Sequence, residues 1–301
     1  MNDYSTFLSN EGFATFLFHG VIRRQRHAIR NYTAKHIELD RFVKVLRSLS
    51  ANGSAVSMPD IVEATAGGRA LPKRAFAITF DDGFENNYSV AAPVLAELRI
   101  PATFYLTTNF IESNESSWID LIEYAFEAKA EFSIDLPLPG RNGSYSTREQ
   151  KLRLLDQIRR IVKANPDIDP YEFANDIWRQ IGVSKMVPDR DLDQKMNWSQ
   201  ACDLGRNRLF TVGGHGHTHR ILEYLAQPEL EREISLSLEK LEENLGFKVM
   251  HYSYPEGLAN CYSDRVIRVL KERGIVCAPS AEHGINRLGD DLFTLKRVMV
   301  A

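Results

Sequence analysis

The chain has 301 residues, 44% apolar and 26% charged, a globular composition that excludes disordered, collagen-like and disulfide-scaffold classes. Its formal net charge of −3 gives no global attraction to nucleic acid or to anionic membrane. The first twenty residues lack a basic start followed by a long apolar run, and no stretch approaches the roughly 18 apolar residues of a membrane span, so a soluble cytoplasmic protein is expected.

Residues 14–18 (ATFLF) read as a strand ending at His19-Gly20. Residues 23–30, with Arg23, Arg24, Arg26, His27 and Arg30, read as a solvated basic loop, with contact to an anionic group as the other reading. Residues 38–50 place Leu39, Phe42, Val43, Leu46 and Leu49 on one helical face. A second strand at 75–80 (AFAITF) runs into Asp81-Asp82-Gly83; helix follows at 87–98 and strand at 102–106. From about 111 to 197 the rhythm breaks. Helical patterns at 147–162 and 171–181, with Trp118, Trp178 and Trp198, suggest a mostly helical insertion whose aromatics pack its own core. The alternation resumes with strand 209–212, running into Gly213-Gly214-His215. A helix at 228–245 follows, with Leu230, Ile234, Leu238, Leu241 and Leu245 in register. Strands are expected at 249–254, 275–278 and 293–300, with a helix capped by Ser263 between the first two. Strands alternating with helices imply a parallel sheet or barrel in one α/β domain spanning residues 1–301.

Four polar groups each follow an expected strand: His19, Asp81-Asp82, His215 to His219, and Pro255-Glu256-Gly257. In a parallel barrel the C-terminal strand ends meet at one mouth, so residues distant in sequence converge there. Asp81-Asp82-Gly83 alone also suits an ordinary turn or helix cap. His215 and His219 are four apart and fall on one side of a helical turn, whereas His217 points elsewhere. With Asp82 they form a two-histidine, one-carboxylate set for a divalent ion, open on one side as in catalytic centres. Cys202, Cys261 and Cys277 lie far apart with no CxxC pair, which argues for reduced thiols and against a cysteine metal site.

Ile78-Thr79-Phe80-Asp81-Asp82-Gly83, His215-Gly216-His217-Thr218-His219 and Ser253-Tyr254-Pro255-Glu256-Gly257 resemble three motifs of the polysaccharide deacetylases, the NodB-homology or carbohydrate esterase 4 group. The resemblance covers roughly residues 14–110 and 208–301. It implies a distorted (β/α)7-type barrel with a helical insertion, a carbohydrate substrate, and Zn2+ as the usual metal. It makes Asp82, His215 and His219 the metal ligands, Asp81 the base, and the Glu256 backbone N–H the oxyanion donor, with Tyr254 and Pro255 beside the substrate. Leu17-Phe18-His19 has the form of the family's Leu-x-His motif, which the tail at 293–298 lacks, and resembles the permuted subgroup that carries it first. It makes His19 the general acid, with His283 in reserve and a backbone-bonded structural histidine as the other reading. Ser253 stands where the family often has an arginine that orients the base; Arg297 is one substitute, and an exposed strand-end arginine is the other reading. Arg220 replaces the proline that usually follows the second histidine.

The expected activity is removal of an N-acetyl or other N-acyl group from an amino sugar in a glycan or glycan precursor. A deformylase or other amide hydrolase on a small substrate, and a glycan-binding protein without turnover, use the same residues.

Overall fold

The computed structural model describes residues 3–136 and 143–301. The described residues form two compact units: residues 3–24, 35–115 and 190–301 make the first, and residues 25–34, 116–136 and 143–189 the second. In chain order the elements are β1 (Phe13–Phe18), β2 (Gly20–Ile22), β3 (His36–Glu38), α1 (Leu39–Asn52), β4 (Ser54–Ala55), α2 (Met58–Thr65) and β5 (Ala75–Phe80). Then come α3 (Ala92–Leu98), β6 (Ala102–Leu106), α4 (Thr108–Ser113), α5 (Trp118–Ala128), β7 (Phe132–Ile134), β8 (Gly143–Tyr145), α6 (Arg148–Ala164) and α7 (Pro170–Ile181). The last are α8 (Arg190–Asp193), α9 (Trp198–Arg206), β9 (Phe210–Gly214), α10 (Gln227–Leu245), α11 (Asp264–Glu272) and β10 (Val298–Met299). No helix among the described residues is long and apolar enough to cross a membrane.

The first unit is an α/β structure on a parallel sheet ordered β10-β1-β5-β6-β9, with β4 beside β5. All six residues of β1 and of β5 are buried, as in a strand covered on both faces. Single bridges extend the sheet from Gly214 to Tyr252 and from His251 to Cys277. The segments expected as strands at 249–254 and 275–278 therefore pair, through Ser253 N to Gly214 O (2.8 Å) and Tyr252 N to Cys277 O (3.0 Å), but too briefly to form ladders. Among the described residues no ladder joins Cys277 back to β10, so the barrel-like sheet is open in its hydrogen bonding.

The expected helix at 87–98 starts as a π-helical stretch, Asn87–Ala91, and becomes regular only in α3. Pro93 lacks the N–H for a regular bond, and the widened turn accommodates its ring. In α10, Leu230, Ile234, Leu238, Leu241 and Leu245 form the buried face, and Gly246 ends the helix in a left-handed conformation.

The second unit has its own core, built from Ile122 and Phe126 of α5, Leu154 and Ile158 of α6, and Ile177 of α7. Trp118 is buried in it, and Trp178 stacks on Tyr124 while donating Nε1–H to Leu121 O. Trp198 lies instead in the first unit, at the start of α9. The basic stretch divides. Arg23, Arg24 and Arg26 are exposed, but Ile29 and Arg30 are buried. That corrects the solvated-loop reading for Ile29 and Arg30; the backbone N–H groups of residues 28–30 are captured by the Glu127 carboxylate of α5, and that of Asn31 by Glu123.

Candidate active site

Strand register assembles the site. Phe18 of β1 pairs with Phe80 of β5, and Asp81 N donates to Phe18 O at 3.0 Å, so His19 and Asp81 leave adjacent strands at one level. Leu106 of β6 pairs with Gly214 of β9, and His215 N donates to Leu106 O at 2.9 Å. Ser253 follows beside Gly214, so all four polar groups stand at the C-terminal strand ends.

Asp82 is buried, with φ of +76°, a conformation uncommon outside glycine. His215 Nε2 lies 3.5 Å and His219 Nε2 3.2 Å from Asp82 Oδ1. One donor atom from each residue lies within 4.8 Å of the others. Asp82 Oδ1 is buried yet accepts no hydrogen bond, a demand that a cation among the three donors would meet. His215 Nδ1 lies 2.9 Å from Ser253 O; a hydrogen bond there puts the proton on Nδ1 and turns the Nε2 lone pair toward Asp82. His219 stacks on Phe110 at 5.6 Å. Carboxylate and imidazole donors suit zinc, and the three residues fit a divalent ion.

Asp81 sits against a different partner. Arg297 donates from Nη1 to Asp81 Oδ1 (2.9 Å) and from Nη2 to Asp81 Oδ2 (2.7 Å), a bidentate pair, and also from Nη2 to Ser253 Oγ (2.9 Å). Arg297 is 1% exposed, which overturns the strand-end surface reading: its guanidinium points inward, and Ser253 is one of its acceptors. Burial alone would raise the Asp81 carboxyl, but Arg297 and His215 hold it below the ordinary carboxylate value. Burial opposes ionisation of Asp82 too, and Lys35, with Nζ 3.0 Å from Oδ2, together with both imidazoles holds that carboxyl well below its usual range. For His215, burial works toward the neutral form, and Asp81 and Asp82 overcome it to raise the imidazole.

His19 lies within electrostatic reach of Asp82 and Asp81, and burial pushes its imidazole down to about 4. Its carbonyl accepts from Asn87 Nδ2 at 2.7 Å. His283 is exposed and packs edge-on against Phe7 at 5.3 Å. His217 turns toward Thr108 Oγ1, 2.8 Å away. Tyr254 is buried, stacked on Tyr262 at 4.3 Å, and its hydroxyl donates to Phe293 O, so its side chain serves the core. Pro255 is buried against the turn at Gly216, and Glu256 has φ of +62°.

Two contributors escaped the sequence reading. Lys35 precedes Asp82 by dozens of residues in no recognisable pattern. Glu233 did leave a signal: with Ser237 it interrupts the apolar face of α10 between Leu230 and Leu238.

A family model described as polysaccharide deacetylase matches residues 68–168 and 185–278. The poly-beta-1,6-N-acetyl-D-glucosamine N-deacetylases of Escherichia coli K12 and O157:H7 are each 36% identical over 73 residues. That stretch is 24% of this chain, which spans only 10% of the length of either curated relative. Among solved structures, IcaB from Ammonifex degensii aligns with a TM-score of 0.62 at 18% identity, over 98% of this chain and 94% of that one. The deacetylase PplD of Streptococcus pyogenes, in complex with acetate, gives 0.60 at 13% identity, over 97% and 93%. The BpsB deacetylase domain of Bordetella bronchiseptica gives 0.60 at 17% identity, over 97% of both chains. At these identities the structures speak for the fold.

Proposed function

Because the chain belongs to the polysaccharide deacetylase family, we propose that it hydrolyses the amide of an N-acetyl or other N-acyl amino sugar in a glycan or glycan precursor. The observation that carries this reading is the pairing of two adjacent carboxylates with different partners: Asp82 faces two imidazoles, and Asp81 faces a buried guanidinium.

Asp82, His215 and His219 would hold a divalent cation, in our reading Zn2+, which supplies Lewis acidity at a carbonyl oxygen and acidifies water. Asp81 accepts the proton of the attacking water. Arg297 keeps that carboxylate ionised at neutral pH and fixes its plane through two N–H···O bonds. His19 delivers a proton to the departing amine nitrogen. With its imidazole held at about 4, it is neutral at pH 7, so in this reading it takes a proton from solvent water as negative charge develops beside it and passes that proton to the amine as the C–N bond breaks. The Glu256 backbone N–H is assigned to the oxyanion, with the backbone of Tyr254 and Pro255 positioning it.

Acetate, formate and ammonia release from N-acetyl and N-formyl amino-sugar oligomers, each measured separately on zinc-loaded protein, tests the activity and the acyl group. Asp81→Asn is expected to keep zinc and lose roughly 10²–10⁴-fold in turnover. Unchanged turnover in that variant rejects the base assignment, and saturable glycan binding without any product favours a binding protein. His19→Ala is expected to slow amides more than activated esters, whose leaving groups need less protonation; equal slowing makes His19 structural. A cytoplasmic location goes with a precursor substrate, and immunoblotting of cell fractions tests it.

A further inference from the structure

We infer that Glu233 is the positioning residue of the loop carrying His215 and His219, its carboxylate setting the spacing of the two imidazoles. The inference rests on the reading that these imidazoles and Asp82 take a divalent cation.

The loop is held from two sides. On one side, the N–H groups of His217 and Thr218 both donate to Glu233 Oε1, at 2.8 and 2.6 Å, and Thr218 Oγ1 donates to Oε2 at 3.0 Å. Successive N–H groups converging on one oxygen form an anion-binding concavity, filled here by the protein's own carboxylate. On the other side, the carbonyls of Gly216 and His217 accept from Thr108 N (3.2 Å) and Asn109 N (2.9 Å) at the start of α4. The loop's donors thus point to α10 and its acceptors to α4, which fixes its rotation.

Two features indicate that this rotation matters to His215 and His219. His219 itself adopts φ of +58°, the left-handed conformation that is uncommon outside glycine. Gly216 has φ of +79°, and a Cβ there would lie 3.1 Å from Glu233 Oε1 and 3.2 Å from Pro255 Cγ. A side chain there would crowd the carboxylate, on a backbone conformation that favours glycine. Glu233 is 8% exposed, and a carboxylate withdrawn from water this far is tolerated because three donors meet it. A helix face seeking only apolar burial would place leucine there.

Zn2+ affinity, measured by competition with a chromophoric chelator, tests the inference, and the visible spectrum of the Co2+-substituted protein reports ligand geometry. Glu233→Ala is expected to weaken zinc binding about 10–100-fold, as loss of outer-shell support does, and to alter the Co2+ spectrum. Glu233→Gln keeps an acceptor oxygen, and Thr218→Val removes only the hydroxyl donor; each is expected to lose several-fold, and they decide the matter if Glu233→Ala does not fold. His215→Ala separates the two levels of reading. If it abolishes tight zinc binding while the folded Glu233 and Thr218 variants bind like the unaltered protein, the positioning role is wrong and the metal set stands. If His215→Ala also binds normally, the metal set itself is wrong.

Discussion

Arg297 and Asp81 form a deeply enclosed ion pair, with side chains 0% and 4% exposed. Two opposite charges withdrawn from water hold each other in place, and removing one leaves the other with an uncompensated desolvation cost of roughly 3–5 kcal/mol. Arg297→Met is therefore expected to lower unfolding free energy in urea by about that amount. Its effect on rate has a definite sign. Arg297 keeps Asp81 below the ordinary carboxylate value, and the base works only when ionised, so activity falls as pH drops through the Asp81 pKa. Without the guanidinium that pKa rises, and the acid limb of kcat/KM is expected to move to higher pH. A limb that stays in place shows that Asp81 does not control it. Arg297→Lys keeps the charge and loses the fork, so its limb is expected to move less.

At the level of elements, α10 and β9 meet directly behind the first histidine. Leu241 Cδ1 lies 3.5 Å from where a Cβ on Gly214 would stand, immediately before His215. Leu241→Ala is expected to cost about 2–5 kcal/mol in denaturant unfolding, since a fully buried leucine leaves a cavity. A loss under 1 kcal/mol would mean that the neighbouring strand collapses to fill the space. The helix and strand patterns that build this contact were plain in the residue order, because period 3.6 and short apolar runs are local signals. The aspartates and histidines were legible for the same reason, each set being a short run beside glycines. What could not be read locally was the partner of each. The guanidinium for Asp81 arrives from the other end of the chain, so Arg297 stood only as one of two readings, and the ammonium for Asp82 comes from just before β3. Residues 28–31 looked like a basic surface loop because the carboxylates that hold their backbone belong to α5.

For the molecule as a whole, acidity acts through buried histidines. His251 is 4% exposed, and burial pushes it down to about 4 from an ordinary value of 6.5. Between those values the unfolded chain takes up a proton that the folded chain refuses, so stability falls as pH drops from about 6.5 toward 4. His19 acts in the same direction, and His215, raised by its carboxylates, in the opposite one. The lowered carboxyls of Asp81 and Asp82 contribute stability that is present above their unfolded values and lost only at lower pH, as the folded forms titrate. Metal-free protein is expected to lose about 2 kcal/mol at pH 5 relative to pH 7 on account of His251, on the scale of 1.36 kcal/mol per pKa unit. Comparing urea midpoints of the unaltered protein and His251→Asn at both pH values measures it. An identical pH dependence in the two would assign the loss elsewhere.

The placement of β10 has a consequence for biosynthesis. Its strand pairs with β1, near the opposite end of the chain, and Arg297 immediately precedes it. A polypeptide cut after Lys296 would lack both the strand that pairs with β1 and the guanidinium that meets Asp81. With Asp81 in its proposed role, such a polypeptide is expected to be both less stable and inactive.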